Sequence, residues 1–293
     1  MIIFKNMRQE IKHLDYYVIK TIENLEKWEY PKLKIKRDDS NIFLGSGTAA
    51  CIGELFTEKF NGISLNVSNY KRFFEKVIKR DFASINIVNA SGGKDGLTMA
   101  SFLSDRGFKP NLITCNRDAP AKKFIKEENI FVFPSFQEPP TYNVSTYSSM
   151  IYWLFREDMK KIKEFINNIK IPNLRKYKYI FFLASDEYTT VARIVSRKVA
   201  ETLEGIGSNG DGFSNGSHGM LRQPNKERLI FCLNQKYFTE ENVYRLNINS
   251  YLGLILSTYY IIGKNQNDQD TENLLKDYKE ISKKLGWKFN KVW

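Results

Sequence analysis

The stretch Ser84-Ile85-Asn86-Ile87-Val88-Asn89-Ala90-Ser91-Gly92-Gly93-Lys94-Asp95-Gly96-Leu97 decides the fold. Ile85, Ile87 and Val88 suit a strand buried on both faces. Gly92 and Gly93 let the backbone turn sharply and approach a ligand closely. A helix from Leu97 to Asp105 would present free N–H groups and the positive end of its dipole to that turn. This geometry binds anions, phosphate above all. Ser91 adds a hydroxyl and Lys94 a charge. Without a ligand, the same pattern serves as a tight β–α turn.

Outward from this stretch, strands and helices alternate. On the N-terminal side, apolar spacing predicts an amphipathic helix over Met7 to Trp28, ended by Pro31. Asn41 to Leu44 reads as a strand running into a second glycine-rich turn, Gly45-Ser46-Gly47-Thr48, and a helix from Ala49 to Phe60. A strand at Ile63 to Val67 and a helix at Tyr70 to Lys79 lead into the central strand. Beyond it come strands at Asn111 to Cys115 and Ile130 to Phe133, and one long helix from Ser145 to Phe165. The alternation implies a parallel, doubly wound sheet, with both glycine-rich turns at its carboxyl edge, where ligands bind.

Around Pro172 the pattern restarts. Tyr179 to Leu183 is a strand, Tyr188 to Gly205 a helix, Arg228 to Leu233 a strand and Asn249 to Gly263 an apolar helix. Gly and Asn dominate Ser208 to Ser217, which predicts a turned loop and excludes a strand. Asn265 to Trp293 is a polar tail. The second half thus reads as a shorter, diverged copy of the first.

Composition narrows the classes. At 293 residues and 42% hydrophobic content, the chain can bury a sizeable core. Its apolar runs are too short or too polar at their edges to cross a membrane. The N-terminus lacks a signal peptide's long apolar region, so a cytoplasmic protein is expected. Cys51, Cys115 and Cys232 are odd in number and far apart, which predicts buried free thiols. With only His13 and His218, nothing suits a zinc site. The net charge of +12 is spread along helices without one dominating cluster, and no nucleic-acid motif stands out. Neither a nucleic-acid nor a membrane partner is expected.

Three side chains carry candidate chemistry. His218 sits between glycines in Gly216-Ser217-His218-Gly219, and histidine exchanges a proton most readily near neutral pH. Glu201 lies on the helix after the second-half strand, with Glu204 close behind. A phosphate cradle at Ser91 to Lys94, a carboxylate and an imidazole together suit aldose–ketose isomerisation. There a carboxylate base moves a proton between neighbouring carbons through an enediol, and a cation stabilises the developing oxyanion. That chemistry needs no cofactor and no metal.

Eight segments, in order, resemble the sugar isomerase (SIS) domain family, in particular the isomerase half of glucosamine-6-phosphate synthase and the archaeal phosphoglucose/phosphomannose isomerases. Met7-Arg8-Gln9-Glu10-Ile11 resembles the M-x-x-E-I start, and Gly45-Ser46-Gly47-Thr48 the sugar-binding loop G-x-G-T-S. Asn89-Ala90-Ser91-Gly92-Gly93-Lys94 stands where the family has its phosphate loop S-x-S-G-x-T. Cys115-Asn116 and Ser145-Thr146 match the C-N and A-S-T segments. Lys198-Val199-Ala200-Glu201 resembles K-L-K-E, Ser217-His218-Gly219-Met220 resembles L-K-H-G-P, and the run from Asp268 to Lys276 resembles D-Q-P-R-N-L-A-K. Asn89 and Lys94 replace two phosphate-binding hydroxyls, Met220 replaces a proline and Tyr147 a lysine.

The resemblance implies an α/β fold of two SIS-type, flavodoxin-like subdomains, each a parallel sheet flanked by helices in an αβα sandwich. It implies subdomains at 1–170 and 171–264 and a tail, 265–293, that closes over the site. It implies a phosphosugar isomerase acting on a hexose 6-phosphate or amino-hexose 6-phosphate. Glu201 would be the proton-shuttling base, His218 would open the sugar ring, and Lys276 would reach the sugar from the tail. Gly47, Thr48, Asn89, Ser91, Gly92, Lys94 and Ser145 would bind substrate. It further implies a homodimer in which the histidine crosses to the partner's site. If the product is an amino sugar, a separate glutaminase would supply the ammonia.

Other readings stay open. A deglycase or deaminase of a phosphorylated amino sugar would use much the same residues. A non-catalytic SIS module would only sense a sugar phosphate. Ser91-Gly92-Gly93-Lys94-Asp95 also matches the S-G-G-x-D-S loop of ATP pyrophosphatases (PP-loop enzymes), with Gly96 in place of the last serine.

Overall fold

A computed structural model of the chain describes residues 12–37, 40–66, 82–139, 141–219, 226–235 and 242–273, together with Lys276 and Glu280. Helix α1 spans Leu14–Leu25. The expected helix at Tyr70 to Lys79, the segment Met7 to Ile11 and Met220 lie outside the described residues.

The first sheet is built from β1 (Asn41–Gly45), β2 (Gly62–Asn66), β3 (Ser84–Val88), β4 (Asn111–Thr114) and β5 (Ile130–Val132). All its pairings are parallel, in the order β2-β1-β3-β4-β5. The second sheet holds β6 (Tyr179–Ala184), β7 (Gly207–Gly212), β8 (Arg228–Leu233) and β9 (Val243–Leu246), again all parallel, in the order β7-β6-β8-β9. Numbered within each half, both orders begin 2-1-3-4, so among the described residues the second half repeats the first four strands of the first.

Both sheets are covered on both sides, as the unbroken apolar runs foretold. Alternate residues of β1 divide between the two faces: Phe43 on one, Ile42 and Leu44 on the other. The Phe43 face packs on α2 (Thr48–Lys59). The Ile42 and Leu44 face packs on α3 (Lys94–Ser104) through Met99, Ala100 and Leu103. In the second sheet, Ile180, Phe182 and Phe231 face α6 (Thr189–Thr202) and α8 (Tyr251–Asn265). Phe181, Leu183, Ile230 and Cys232 face the opposite way. The Phe43 and Phe182 faces share one apolar layer, which takes in α1, α2, α4 (Val144–Phe155), α5 (Met159–Asn168), α6 and α8.

Two expectations need correction, and one strand was not expected. The single helix expected over Ser145 to Phe165 is two helices. Arg156 takes a left-handed conformation (φ +49°) at the end of α4, and the Asp158 carboxylate caps α5 by accepting from the Lys161 N–H at 3.1 Å. The glycine-rich stretch Ser208 to Ser217 is not a loop: it is most of β7 and of α7 (Phe213–Gly219). The helix α6 packs so tightly on β7 that a Cβ at Gly210 would stand 2.2 Å from the Ala192 carbonyl oxygen, and one at Gly212 would stand 2.2 Å from Thr189 Oγ1. The glycines are therefore required by packing, which overrides their low strand propensity. Finally, β9 was not foreseen.

All three cysteines are free, with Cys51 and Cys232 buried. Among the described residues, no helix is long and apolar enough to cross a membrane, and no group of three or more His, Cys, Asp or Glu side chains is placed to hold a metal ion.

Candidate active site

The strand order of the first sheet reverses between β1 and β3, and the two glycine-rich turns leave those neighbouring strands at their carboxyl ends. A cleft at such a switch point is where open α/β sheets bind ligands. The turns are joined to each other: Ser46 Oγ donates to Asp95 Oδ2 at 2.6 Å. Gly47, at φ +54°, precedes Thr48, the first residue of α2. Gly92 sits at φ +60°, and a Cβ there would lie 2.2 Å from the Ala119 Cβ, so only glycine fits.

The second turn holds its own shape. Ser91 Oγ donates to Asn89 Oδ1 at 3.2 Å and accepts from the Gly93 N–H at 3.2 Å. Asn116 Nδ2 donates to the Ser91 carbonyl at 2.9 Å. Lys94 is exposed at the start of α3. No side chain caps the N-terminus of α2 or α3. Both helices thus begin, with the positive ends of their dipoles, at the switch point.

The start of α4 is different. The Glu138 carboxylate, only 3% exposed, closes it. It accepts from the Val144 and Ser145 N–H groups at 2.9 Å each and from the Ser145 hydroxyl at 2.7 Å. Burial pushes the Glu138 carboxyl up to about 7, against the opposing pull of these hydrogen bonds. Ser145, expected at the substrate, is fully buried and committed to Glu138. Glu138 was missed in the sequence; its distance from the helix start hides it from the usual capping pattern.

Glu201 lies in the last turn of α6 and is 41% exposed. Lys198, 3% exposed, donates to Glu201 Oε2 at 2.7 Å and also to the Thr141 carbonyl. Thr141 belongs to the segment between β5 and α4, so Lys198 ties the end of α6 to the carboxyl side of the first sheet. Glu201 also lines a cavity of about 410 Å³ with Glu204, Gly205, Gly207, Asp270 and Asn273. The beginning of the tail is therefore beside Glu201. Lys276, exposed and helical, follows Asn273 by three positions. The cavity lining includes neither glycine-rich turn.

His218 stands apart. It is in the last turn of α7, which covers the Phe181 and Leu183 face of β6: a Cβ at Gly216 would meet Leu183 Cδ1 at 2.9 Å. Glu201 is on α6, which covers the Phe182 face. Within one chain the sheet separates the two elements.

Arg197 was also missed. It lies one turn before Glu201 on α6, and its Nη1 donates to Cys51 Sγ at 3.1 Å. Cys51 is in the first turn of α2. Burial raises its thiol to about 11 despite the guanidinium beside it.

The duplicated parallel sheets, each flanked by helices, define a protein of two SIS-type α/β halves. No protein-family model and no curated protein matches the chain. Solved structures match nearly all of it at low identity. The C-terminal domain of glucosamine-fructose-6-phosphate aminotransferase from Francisella tularensis superposes with a TM-score of 0.62 at 11% identity, covering 88% of this chain and 98% of that one. Tagatose-6-phosphate ketose/aldose isomerase from Escherichia coli gives 0.59 at 12% identity, over 86% of each chain. Glucosamine-6-phosphate deaminase from Thermotoga maritima gives 0.58 at 14% identity, over 89% of this chain and 91% of that one. The chain has the fold of these proteins, the fold its motifs resemble.

Proposed function

We propose that the protein is a phosphosugar isomerase acting on a hexose 6-phosphate or amino-hexose 6-phosphate. The observation that carries this reading is the switch point between β1 and β3, where two helices without a side-chain cap begin at glycine-rich turns. Asn89, Ser91, Gly92 and Lys94 hold the phosphate at the start of α3. Gly47 and Thr48 meet the sugar at the start of α2. Ser145 serves through Glu138, by fixing the start of α4.

Glu201 moves the proton between carbon 1 and carbon 2 through an enediol or enolamine. Its exposure and its place on the cavity beside the tail suit that task. Lys276 follows on the tail and closes toward the sugar. His218 opens the ring from a second copy of the chain, a reading supported by the place of its helix on the face of the second sheet opposite α6. In that homodimer each site draws on both subunits. The subdomain boundary near residue 170 and a cytoplasmic location accord with the same reading. A separate glutaminase is needed only for an amino-sugar product.

A deaminase or deglycase reaction on a phosphorylated amino sugar is the second reading. It is favoured by the acidic character of the cavity, where Glu201, Glu204 and Asp270 surround the carboxyl end of α6 and suit a protonated amine. Incubation with a panel of hexose and aminohexose 6-phosphates, with and without ammonia, tests both readings. Exchange of the carbon-2 proton, followed by NMR, marks the isomerase; release of ammonia marks the deaminase.

A further inference from the structure

One buried carboxylate joins the tail to the end of α6. Asp270 is 4% exposed. Its Oδ1 accepts the Glu204 N–H at 3.1 Å, and its Oδ2 accepts the Asn267 N–H at 2.8 Å and a further bond from Arg175 Nη2. Asn267 returns the contact: its Oδ1 accepts the Asp270 N–H at 2.9 Å. Asn267 and Asp270 thus form a capping box, with Asp in the place of the usual Glu or Gln, and the tail turns helical at Asp268. Arg175, on the turn Leu174–Lys176, also donates from Nε to the Asn265 carbonyl at 3.0 Å. Glu204 lies beyond Thr202, the last residue of α6, and Asn273 Nδ2 donates to its carboxylate.

A buried carboxylate is costly unless it is paired and hydrogen-bonded. Here donors from three separate segments converge on one side chain, which fixes their relative placement. Two of those segments, the end of α6 and the beginning of the tail, are walls of the cavity that Glu201 lines. Glu201 is three residues before Glu204, and Lys276 is six residues after Asp270. The bond from Lys198 sets the Glu201 carboxylate relative to α6, but it does not set α6 relative to the tail. We propose that Asp270 and Arg175 are a positioning pair: they hold the end of α6 against the tail helix and so keep Glu201 and Lys276 in register over the same sugar. This rests on the phosphosugar reading above and adds to it two residues that act through others. Neither glycine-rich turn lines the cavity or, among the described residues, bonds to the pair, so the hold on the phosphate is independent of it.

Carbon-2 proton exchange on fructose 6-phosphate and glucosamine 6-phosphate, followed by NMR below the melting temperature of every variant, tests the proposal. Asp270→Asn keeps the size and removes the charge that holds Arg175; Arg175→Gln removes the guanidinium. Each should lower kcat roughly ten- to a hundredfold, with KM changed by less than about twofold. The double variant should lose no more than the more impaired single one, because both substitutions open the same clamp. Arg175→Lys, which keeps the charge, should recover part of kcat. Variants that melt earlier but keep the wild-type kcat, or that raise KM instead, reduce the pair to a helix cap and overturn the proposal, while the phosphosugar reading stands on the wild-type exchange. Amide hydrogen exchange of the wild-type protein is a test that does not depend on how the variants fold. The Glu204 amide, beyond the end of α6, should exchange on the order of a hundredfold more slowly than a free amide, and exchange at the free rate overturns the clamp. If the wild-type protein neither binds nor exchanges either sugar phosphate, the phosphosugar reading falls and this proposal with it.

Discussion

Lys198 and Glu201 form an ion pair between a buried ammonium and a half-exposed carboxylate, 2.7 Å apart on successive turns of α6. The ammonium also accepts no freedom to wander, because the Thr141 carbonyl holds it from the other side. Glu201 is thereby aimed without being buried. Glu201→Gln keeps the size and removes the base, so turnover should fall by roughly two to four orders of magnitude while substrate binding persists. Carbon-2 proton exchange and calorimetry read the two effects separately, and full exchange in this variant would remove Glu201 from the mechanism. Lys198→Met should lower kcat more than it changes binding of the phosphate end, at a stability cost on the order of 1–3 kcal/mol for the unpaired Thr141 carbonyl.

The buried carboxyl of Glu138 makes stability depend on pH. Its folded-state value of about 7 is above the ordinary 4.5, so the folded protein binds the extra proton between those limits. The stabilisation is fully present below about 4.5 and is lost as pH rises through about 7. Thermal melting should therefore show a contribution from this site that declines from pH 5 to pH 8. Glu138→Gln, which retains one acceptor for the start of α4, should flatten that decline. Parallel melting curves for the two proteins across this range would contradict the assignment.

Gly92 tests the phosphate turn. Alanine there meets two penalties, a left-handed backbone at φ +60° and a Cβ placed 2.2 Å from Ala119. The expected cost is on the order of 2–4 kcal/mol. The displaced turn should also lose inorganic phosphate binding, measured by titration, more than a control alanine at Gly107. That control shares the positive φ but has nothing within 4 Å of its Cβ.

What the sequence revealed follows from how local each cause is. The runs Ile42 to Leu44, Tyr179 to Leu183 and Arg228 to Leu233 read as strands from their apolar content, and the structure buries all of them but the leading Tyr179 and Arg228. The two glycine turns were legible because strand, turn and helix follow one another directly. The strand β7 was not, since its glycines answer to α6 lying on them, a tertiary cause that mimics a loop signal. The break at Arg156 was hidden by apolar spacing that continues across it. Arg197 and Cys51 are 146 positions apart, so neither advertises the other. Ser145 was legible as a feature of the helix start, but its partner Glu138, which decides its role, was not.

The separation of Glu201 and His218 by the second sheet gives the most demanding test. If each site takes its base from one chain and its histidine from another, Glu201→Gln and His218→Ala homodimers are both impaired at every site. Mixing them under conditions that exchange subunits assembles heterodimers in which one site carries both defects and the other carries neither. At equal amounts and random exchange, half the dimers are mixed, so activity should recover to roughly one quarter of the wild-type value. Assay before and after exchange measures the recovery, and cross-linking the homodimers before mixing should prevent it. An unchanged rate after proven exchange would mean that both residues serve one chain and would overturn the shared site.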